Sequence, residues 1–346
     1  MLRMELSDGE IESIRLLVRD VAAEYQNAEN MDFLDNAYLY AHELPRRVRS
    51  FLNDFRLKEP SSGFCIISGY PVNISAIGAT PTHWKWRADV RKSLHEQILM
   101  VLCGSLLGDL LGWATQQDGY LIHDVLPIKG NENEQIGTGS EQTLLWHTED
   151  AFHPYRADYI GLFCLRNPDR VATTIGTVDV GKLEASHLDI LFQPRFTIQP
   201  DHSHNEKNES DLRKLERPDS DHALIDAAYE KIKMMSANPP KISVLFGSRD
   251  DPYLRVDPYF MDPLDDDPEA KQALEALVKL IDVSLIDLVL QQGDFCLIDN
   301  YKAVHGRKPF KARYDGNDRW IKRISMTRDL RKSRQSRASS AARVIT

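Results

Sequence analysis

The sequence predicts an α+β fold, because its apolar residues repeat with two different periods along the chain. After Ser7 and Glu10, which match a helix capping box, apolar residues recur at helical spacing as far as Val21. Between Trp146 and Val180, short apolar stretches instead alternate with polar breaks, which is typical of β-strands. We therefore expect helices packed around a core of β-sheet.

Along the chain, the predicted elements form an N-terminal part, a core and a tail within a single domain of residues 1–346. Residues 1–135 are expected to be largely helical with some strands, and they include a mostly buried helix over residues 91–111. Residues 136–330 are expected to form the core. The basic residues 331–346 are expected to be a flexible, solvated tail.

Three segments of the core have patterns of their own. Residues 200–221 are rich in charge, His, Asn and Ser, which predicts a mobile loop. A helix is predicted over residues 268–292, with Pro268 in its first turn and Gly293 as its stop. The apolar run at residues 295–299 predicts a strand that follows this helix.

The composition excludes several classes of protein. A formal net charge of −9 argues against nucleic acid as the main partner. No apolar run is long enough to cross a membrane and no signal peptide is evident, so we expect no membrane partner and a cytoplasmic enzyme. The cysteines are scattered without any Cys-x-x-Cys pair, which indicates neither zinc nor disulfides: Cys65, Cys103, Cys164 and Cys296.

A His-x-Glu triplet is the strongest candidate for a metal site. Of the three His-x-Asp/Glu triplets, at His147, His187 and His204, only the first follows an apolar strand-like run. On a strand, residues two apart share a face, so His147 and Glu149 can face one ion. The second triplet is predicted to be helical, and the third to lie in a solvated loop. With His305 downstream, two imidazoles and a carboxylate form the facial triad of non-heme Fe(II) oxygenases.

Two arginines downstream of His305 suggest how carboxylates are bound. Arg319 and Arg323 are four residues apart, so on a strand they share a face. A guanidinium matches a carboxylate in two hydrogen bonds. One of the two can hold the far carboxylate of a dicarboxylic cosubstrate that chelates the metal, and the other the carboxylate of an amino acid.

These motifs resemble the clavaminate synthase-like group of 2-oxoglutarate-dependent oxygenases, and within it the L-arginine β-hydroxylases known from viomycin biosynthesis. The resemblance covers roughly residues 41–334 and implies a role in antibiotic biosynthesis. Besides the triad and Arg319, it depends on residues 41–47, 112–119, 124–130, 146–152 and 155–159.

The resemblance implies a double-stranded β-helix (jelly roll) core with flanking helices, which brings strands distant in sequence together. It also implies a free L-amino acid as substrate, Fe(II) as cofactor, and 2-oxoglutarate and O2 as cosubstrates. By position, His147, Glu149 and His305 resemble the iron ligands, and Arg319 resembles the 2-oxoglutarate anchor. Thr173 or Thr174 is similar to a threonine that helps to hold the cosubstrate; neighbours on a strand face opposite ways, and Thr173 is the assigned residue.

The same resemblance assigns the substrate contacts. These are Gln116 and Glu149 for the α-amino group, Arg323 for the carboxylate, and Asp201 and Asp257 for a guanidinium. The expected reaction is hydroxylation of an unactivated carbon, C3 or C4, of L-arginine, with release of succinate and CO2.

One position departs from the arginine enzyme and leaves alternatives open. That enzyme has a second acid two residues after the position of Asp257, where this chain has Tyr259. A buried charge must be matched, so citrulline or lysine is an alternative substrate. Desaturation and double hydroxylation need the same ligands as hydroxylation. A zinc hydrolase is a remote alternative that gives no reason for Arg319, and a metal-free binding protein would not need the two histidines.

Overall fold

The computed structural model describes residues 2–86, 90–204 and 219–346. These residues form an eight-stranded β-sheet, a four-stranded β-sheet and a small two-stranded sheet, with helices outside the two larger sheets. The strands are β1 Leu2–Glu5, β2 Phe64–Ser68, β3 Asp109–Trp113, β4 Ile122–Val125, β5 Leu144–His147, β6 Tyr159–Arg166, β7 Thr173–Thr177, β8 Leu245–Gly247, β9 Pro252–Leu254, β10 Ile286–Leu288, β11 Phe295–Asp299, β12 Ala303–Arg307, β13 Trp320–Thr327 and β14 Val344–Ile345. The α-helices are α1 Asp8–Glu24, α2 Met31–Ala41, α3 Arg46–Lys58, α4 Ile74–Ile77, α5 Leu94–Ser105, α6 Ala185–Leu191, α7 Asp219–Ala237 and α8 Pro268–Ser284.

The larger sheet has the strand order β1-β2-β11-β6-β13-β3-β14, and β4 also pairs with β13. Its neighbours are antiparallel except for the parallel pairs β1 with β2 and β14 with β3. Every residue of β6 is buried, because one face packs on the helices and the other on the second sheet. Such strands are apolar throughout rather than alternating.

The smaller sheet is antiparallel, with the order β10-β7-β12-β5. Its apolar residues pack against the larger sheet in a common core to which Ile175, Leu288 and Ala303 contribute. In the ladder between β12 and β5, His305 lies directly opposite His147. This register brings together two residues that are 158 positions apart in the chain.

Helices α1, α2 and α5 cover the outer face of the larger sheet, and α8 packs against α6 and β7. The predicted capping box of α1 is present, with Ser7 and Glu10 each bonding the other's backbone. The buried helix expected over residues 91–111 is shorter, because β3 begins at Asp109 and pairs with β13.

The prediction of a helix over residues 268–292 is wrong at its C-terminal end. Helix α8 ends at Ser284, and the chain then forms β10, in which Ile286 pairs with Ile175 of β7. The sequence continues to repeat at helical spacing, but pairing with an edge strand overrides the local preference. Gly293 instead serves a turn before β11: its φ is +81°, and an added Cβ would lie 1.9 Å from the Tyr70 carbonyl oxygen.

The prediction of a flexible tail over residues 331–346 is also wrong. Strand β14 pairs with β3, and the side chains of Arg337 and Arg343 are buried. Arg337 donates to the carbonyl oxygens of Leu330 and Ser340, and Arg343 donates to the carboxylate of Asp109. These two arginines are therefore internal hydrogen-bond donors, whereas Arg331, Lys332 and Arg334 are exposed as expected of a solvated charge run.

The predicted mobile loop over residues 200–221 is described only in part. Residues 202–204 form a short 3-10 helix, and α7 begins at Asp219. Residues 205–218 lie outside the described residues, so the mobile loop stays a prediction there. Across the ranges that are described, no helix is both long and apolar enough to span a membrane.

Candidate active site

The site forms where β5 ends beside β12. His147 is the last residue of β5, Glu149 follows two residues later, and His305 lies in the middle of β12. The ligand atoms of these three side chains all lie within 4.8 Å of one another. The Nε2 atoms of His305 and His147 are 3.1 Å and 3.8 Å from Oε2 of Glu149.

Backbone contacts hold this cluster in place. The Glu149 N–H donates to Oδ1 of Asn300 at 2.7 Å, and Nδ2 of Asn300 donates back to the Glu149 carbonyl oxygen at 3.1 Å. Gly306 allows β12 to approach its neighbours, because an added Cβ would lie 2.5 Å from the Leu144 carbonyl oxygen. The sequence analysis did not assign a role to Asn300, although it immediately follows the predicted strand at residues 295–299.

The donor set fits a divalent metal ion. His147 Nδ1 donates a hydrogen to the Leu145 carbonyl oxygen at 2.9 Å, so Nε2 is the ring nitrogen that faces Glu149 and that, in the neutral ring, offers a lone pair to a metal ion. Burial opposes ionisation of Glu149, but Arg323 and the two histidines hold its pKa well below the ordinary value. His305 Nδ1 is buried and has no hydrogen-bond partner in the described part of the chain. Two imidazoles and an ionised carboxylate are the ligands that non-heme Fe(II) takes on one face.

A buried cation lies on the wall of the same pocket. Arg319 is 5% exposed. Among the described residues, its guanidinium forms a single hydrogen bond, in which Nη2 donates to Oγ1 of Thr173 at 3.2 Å. Within the described residues it forms no ion pair, and its Nε is buried without a partner. Burial lowers the pKa of Arg319 to about 10. An uncompensated buried cation of this kind needs an anion, and both Arg319 and Thr173 line the pocket. Thr173, rather than Thr174, faces it.

Arg323 connects two more of the predicted residues. Its Nη1 donates to Oε1 of Glu149, and its Nη2 donates to Oε1 of Gln116 at 3.2 Å. His123 Nδ1 accepts from the same Nη2 at 2.8 Å, because His123 Nε2 is committed to the carbonyl oxygen of Tyr120 at 2.9 Å. Gln116, Glu149 and Arg323 therefore form one polar cluster beside the candidate metal ligands. The sequence analysis did not single out His123.

The two predicted acids also line this pocket. The cavity holds about 840 Å³ including its open mouth, and Asp201, Asp257 and Tyr259 are among its lining residues. Asp257 is buried, and burial raises its pKa to about 6. Tyr259 is half-exposed at the cavity wall. A carboxylate buried beside an open cavity is stabilised by a cationic ligand.

The prediction of a solvated loop at His204 is wrong. Its side chain is fully buried, and with Asp150 and Asp201 it forms a second cluster of ligand-type atoms. Polar neighbours along the sequence gave no sign of this burial, which depends on contacts with residues about 50 and 90 positions away. His187, as predicted, lies in a helix, α6.

Comparison with known proteins identifies the class of this enzyme. The family model for taurine catabolism dioxygenases, TauD and TfdA, matches residues 191–325. The chain is 44% identical over 345 residues to enduracididine β-hydroxylase of Streptomyces hygroscopicus, and 43% identical over 348 residues to L-ornithine/L-arginine 3-hydroxylase of Catenulispora acidiphila. Both alignments cover all of each chain. The chain therefore belongs to the iron- and 2-oxoglutarate-dependent amino-acid hydroxylases of the TauD/TfdA family.

The solved structures give the same result. The crystal structure of the non-heme iron oxygenase OrfP with Fe, succinate and (3S)-hydroxy-L-Arg is 43% identical, covers all of both chains and has a TM-score of 0.93. Another OrfP structure, which contains Fe and α-ketoglutaric acid, is 42% identical, covers 99% of this chain and all of that chain, and has a TM-score of 0.86. The predicted enzyme class and its cofactors, iron and 2-oxoglutarate, are confirmed.

Proposed function

We propose that this enzyme hydroxylates C3 or C4 of free L-arginine, with release of succinate and CO2. One pocket combines the His147, Glu149 and His305 cluster, the cation of Arg319, which has no ion-pair partner among the described residues, and two acids of the lining, Asp201 and Asp257. That combination is the observation on which the proposal depends. Relatives that act on L-arginine, and an OrfP structure that contains a hydroxylated arginine, support it.

In the proposed roles, the three clustered side chains hold Fe(II), and Arg319 with Thr173 binds the far carboxylate of 2-oxoglutarate. Iron and 2-oxoglutarate, when bound, would activate O2, of which one oxygen atom enters succinate and the other becomes the hydroxyl group that replaces a hydrogen on carbon. The pairing of Arg319 with a carboxylate removes the electrostatic cost of a buried, uncompensated cation. Thr173 orients the guanidinium through the 3.2 Å hydrogen bond.

The substrate is held at both ends in this proposal. Arg323 takes the carboxylate, Gln116 and Glu149 take the α-amino group, and the acids at residues 201 and 257 take the guanidinium. Fixing both ends selects the carbon that lies next to the metal, because the chain between them has little freedom to slide. The free energy of binding is then used for orientation rather than for tighter binding alone.

We also propose that the two sheets form a double-stranded β-helix and that residues 1–346 are a single domain. The four-stranded sheet β10-β7-β12-β5 facing the larger sheet supports this arrangement. The apolar core between the sheets gives the metal ligands a rigid support, as a jelly roll does.

A related substrate remains a second candidate because of Tyr259. Tyr259 lines the cavity at the position where the arginine enzyme has a second acid. Fewer negative charges than in that enzyme therefore face the distal end of the substrate side chain. Citrulline has a similar length to arginine and no charge, lysine carries a compact cation, and enduracididine is the substrate named for one relative. Desaturation of arginine is an alternative reaction, because it needs the same iron ligands as hydroxylation.

The deciding experiment is a substrate panel with the iron-loaded enzyme. Succinate release and product mass are measured for arginine, citrulline, lysine, ornithine and enduracididine at equal 2-oxoglutarate. The expected result is the highest kcat/KM for arginine and a mass increase of one oxygen. A higher kcat/KM for citrulline, lysine, ornithine or enduracididine would show that this compound, and not arginine, is the preferred substrate. A product lighter than arginine by two hydrogens would indicate desaturation.

A further inference from the structure

His204 is buried in an otherwise polar stretch of the chain. Its side chain has 0% exposure, and its ring meets those of Phe152 and Trp113 edge-on, with centroids 5.0 and 5.9 Å away. Removing an imidazole from water is unfavourable unless both ring nitrogens have partners. The position of this side chain is therefore set by what those nitrogens contact.

Both nitrogens have partners from distant parts of the chain. Nδ1 lies 2.6 Å from Oγ1 of Thr115, and Nε2 lies 3.1 Å from Oδ1 of Asp150. Oδ2 of Asp201 is 3.9 Å from the same Nε2. Because carboxylates accept hydrogen bonds, Nε2 is the donor to Asp150, whereas its 3.9 Å contact with Asp201 is electrostatic and not a hydrogen bond. The imidazole thus bridges an acid beside the metal site to an acid on the pocket wall through one hydrogen bond and one longer electrostatic contact.

Asp150 is a fixed anchor for this bridge. It immediately follows Glu149 in the chain, and its φ of +49° is a conformation that residues with a side chain rarely adopt. Its carboxylate also accepts from Trp113 Nε1 at 2.6 Å and from Gln116 Nε2 at 3.1 Å. With these donors in place, Asp150 has little freedom to move towards or away from His204.

Asp201 is attached to the bridge by short local contacts. The His204 N–H donates to the Asp201 carbonyl oxygen at 3.2 Å, and the Ser203 N–H donates to Oδ1 of Asp201 at 2.8 Å. Oγ of Ser203 accepts from Gln116 Nε2 at 2.6 Å. A displacement of His204 would thus be transmitted to the Asp201 carboxylate, which lines the pocket.

We propose that His204 is a positioning residue for the distal end of the substrate: by bridging Asp150 to the segment of residues 201–204, it sets the place of the Asp201 carboxylate. The inference depends on the proposed function, in which that carboxylate meets the guanidinium of arginine. His204 acts through Asp201 and not on the iron or on 2-oxoglutarate. It therefore contributes to the choice of amino acid.

The test is a double-mutant cycle on the iron-loaded, full-length enzyme. KM for arginine and KM for 2-oxoglutarate are measured in His204→Ala, Asp201→Ala and the double variant, with circular dichroism to check the fold. His204→Ala is expected to raise KM for arginine about tenfold, equivalent to one lost hydrogen bond to a charged group. KM for 2-oxoglutarate should stay within about twofold. The double variant should be no worse than Asp201→Ala, because the two residues act as one unit.

Two further variants separate this role from a general effect on folding. His204→Gln retains an amide donor near Asp150 and should recover part of the arginine KM. His202→Ala is the matched control: it removes a neighbouring histidine whose side chain is 44% exposed and lies 3.5 Å from Glu134. The control is expected to change KM for arginine less than about twofold.

Three results would contradict the proposed role of His204 or the proposed function, and each can be told from the others. Additive effects of His204→Ala and Asp201→Ala, or an equal rise in KM for both cosubstrate and arginine, would overturn the role at the distal end. If neither His204 variant folds, its function is to maintain the fold, and the proposal is wrong. The proposed function is tested separately with the native enzyme. If that function is wrong, the native enzyme will release no succinate in response to arginine.

Discussion

Replacing Arg319 by methionine is expected to change stability and cosubstrate affinity in opposite directions. The guanidinium is buried, and burial lowers its pKa from 12.5 to about 10. Since one pKa unit corresponds to about 1.36 kcal/mol, holding this cation in the folded protein costs roughly 3 kcal/mol at neutral pH. Methionine has similar length and no charge. In the absence of ligands, the variant should therefore have a higher free energy of unfolding, by up to that amount.

The same substitution is expected to weaken 2-oxoglutarate binding strongly. In the proposed complex, the far carboxylate of the cosubstrate pairs with Arg319, and removing one partner of a buried ion pair costs about 3–5 kcal/mol. This corresponds to a loss of affinity of roughly 100-fold to several thousandfold. Thr173 alone, which now accepts from the guanidinium, cannot neutralise the carboxylate.

Denaturant unfolding of the apo protein, with and without 2-oxoglutarate, measures both effects together. Arg313→Met is the matched control, because the Arg313 side chain is 41% exposed and pairs with Asp169 at the surface, so this substitution should leave both quantities nearly unchanged. Unchanged 2-oxoglutarate affinity in Arg319→Met would move the anchoring role elsewhere, with Arg323 the next candidate. A lower free energy of unfolding for apo Arg319→Met than for the native apo protein would contradict the proposed cost of burying the guanidinium.

Three other predictions test separate parts of the structure. His147→Ala or His305→Ala should abolish Fe(II)-dependent succinate release while the circular dichroism spectrum is unchanged, and full activity in either variant would contradict the proposed metal site. Asp257→Ala should lower kcat/KM for arginine roughly 10- to 100-fold but affect citrulline less, because only the guanidinium loses a charged partner; equal losses for the two would contradict this role. Burial raises the pKa of Asp299 from 3.8 to about 7, so the native state binds more protons than the unfolded state between those pH values, and stability falls as the pH rises through that window. Asp299→Asn should therefore be more stabilising at pH 8 than at pH 5, by about 2–3 kcal/mol in the free energy of unfolding, and a pH-independent difference would show that the group is not perturbed.

Several features of the site could be predicted from the chain alone because they depend on local pattern. The apolar run before His147 predicted the strand that is present, but this strand ends at His147. Glu149 lies in the turn that follows and is held there by Asn300, so the spacing predicted the pair of ligands and not their geometry. The capping box at Ser7 is likewise a contact between neighbours in the sequence. Motifs shared along most of the chain also indicated the family before the fold was known.

Other features were missed because they depend on contacts between distant residues. The helix beginning at Pro268 stops at Ser284, where pairing of β10 with β7 overrides a helical repeat that continues in the sequence. The C-terminal arginines resemble a solvated charge run, yet Arg337 and Arg343 are buried donors to backbone and carboxylate oxygens. The burial of a polar group is decided by its partners, and those partners were not visible from composition.

The sequence by itself determined which chemical groups are available: two imidazoles, a carboxylate at strand spacing, two arginines on one face, and two acids. Only the tertiary structure decided their arrangement. The β12–β5 register set His305 opposite His147, and the packing of the two sheets left Arg319 buried without an ion-pair partner among the described residues. It also placed His204 between two carboxylates. The physical reason is that donor identity is a property of each residue, whereas burial and pairing are properties of its neighbours in space.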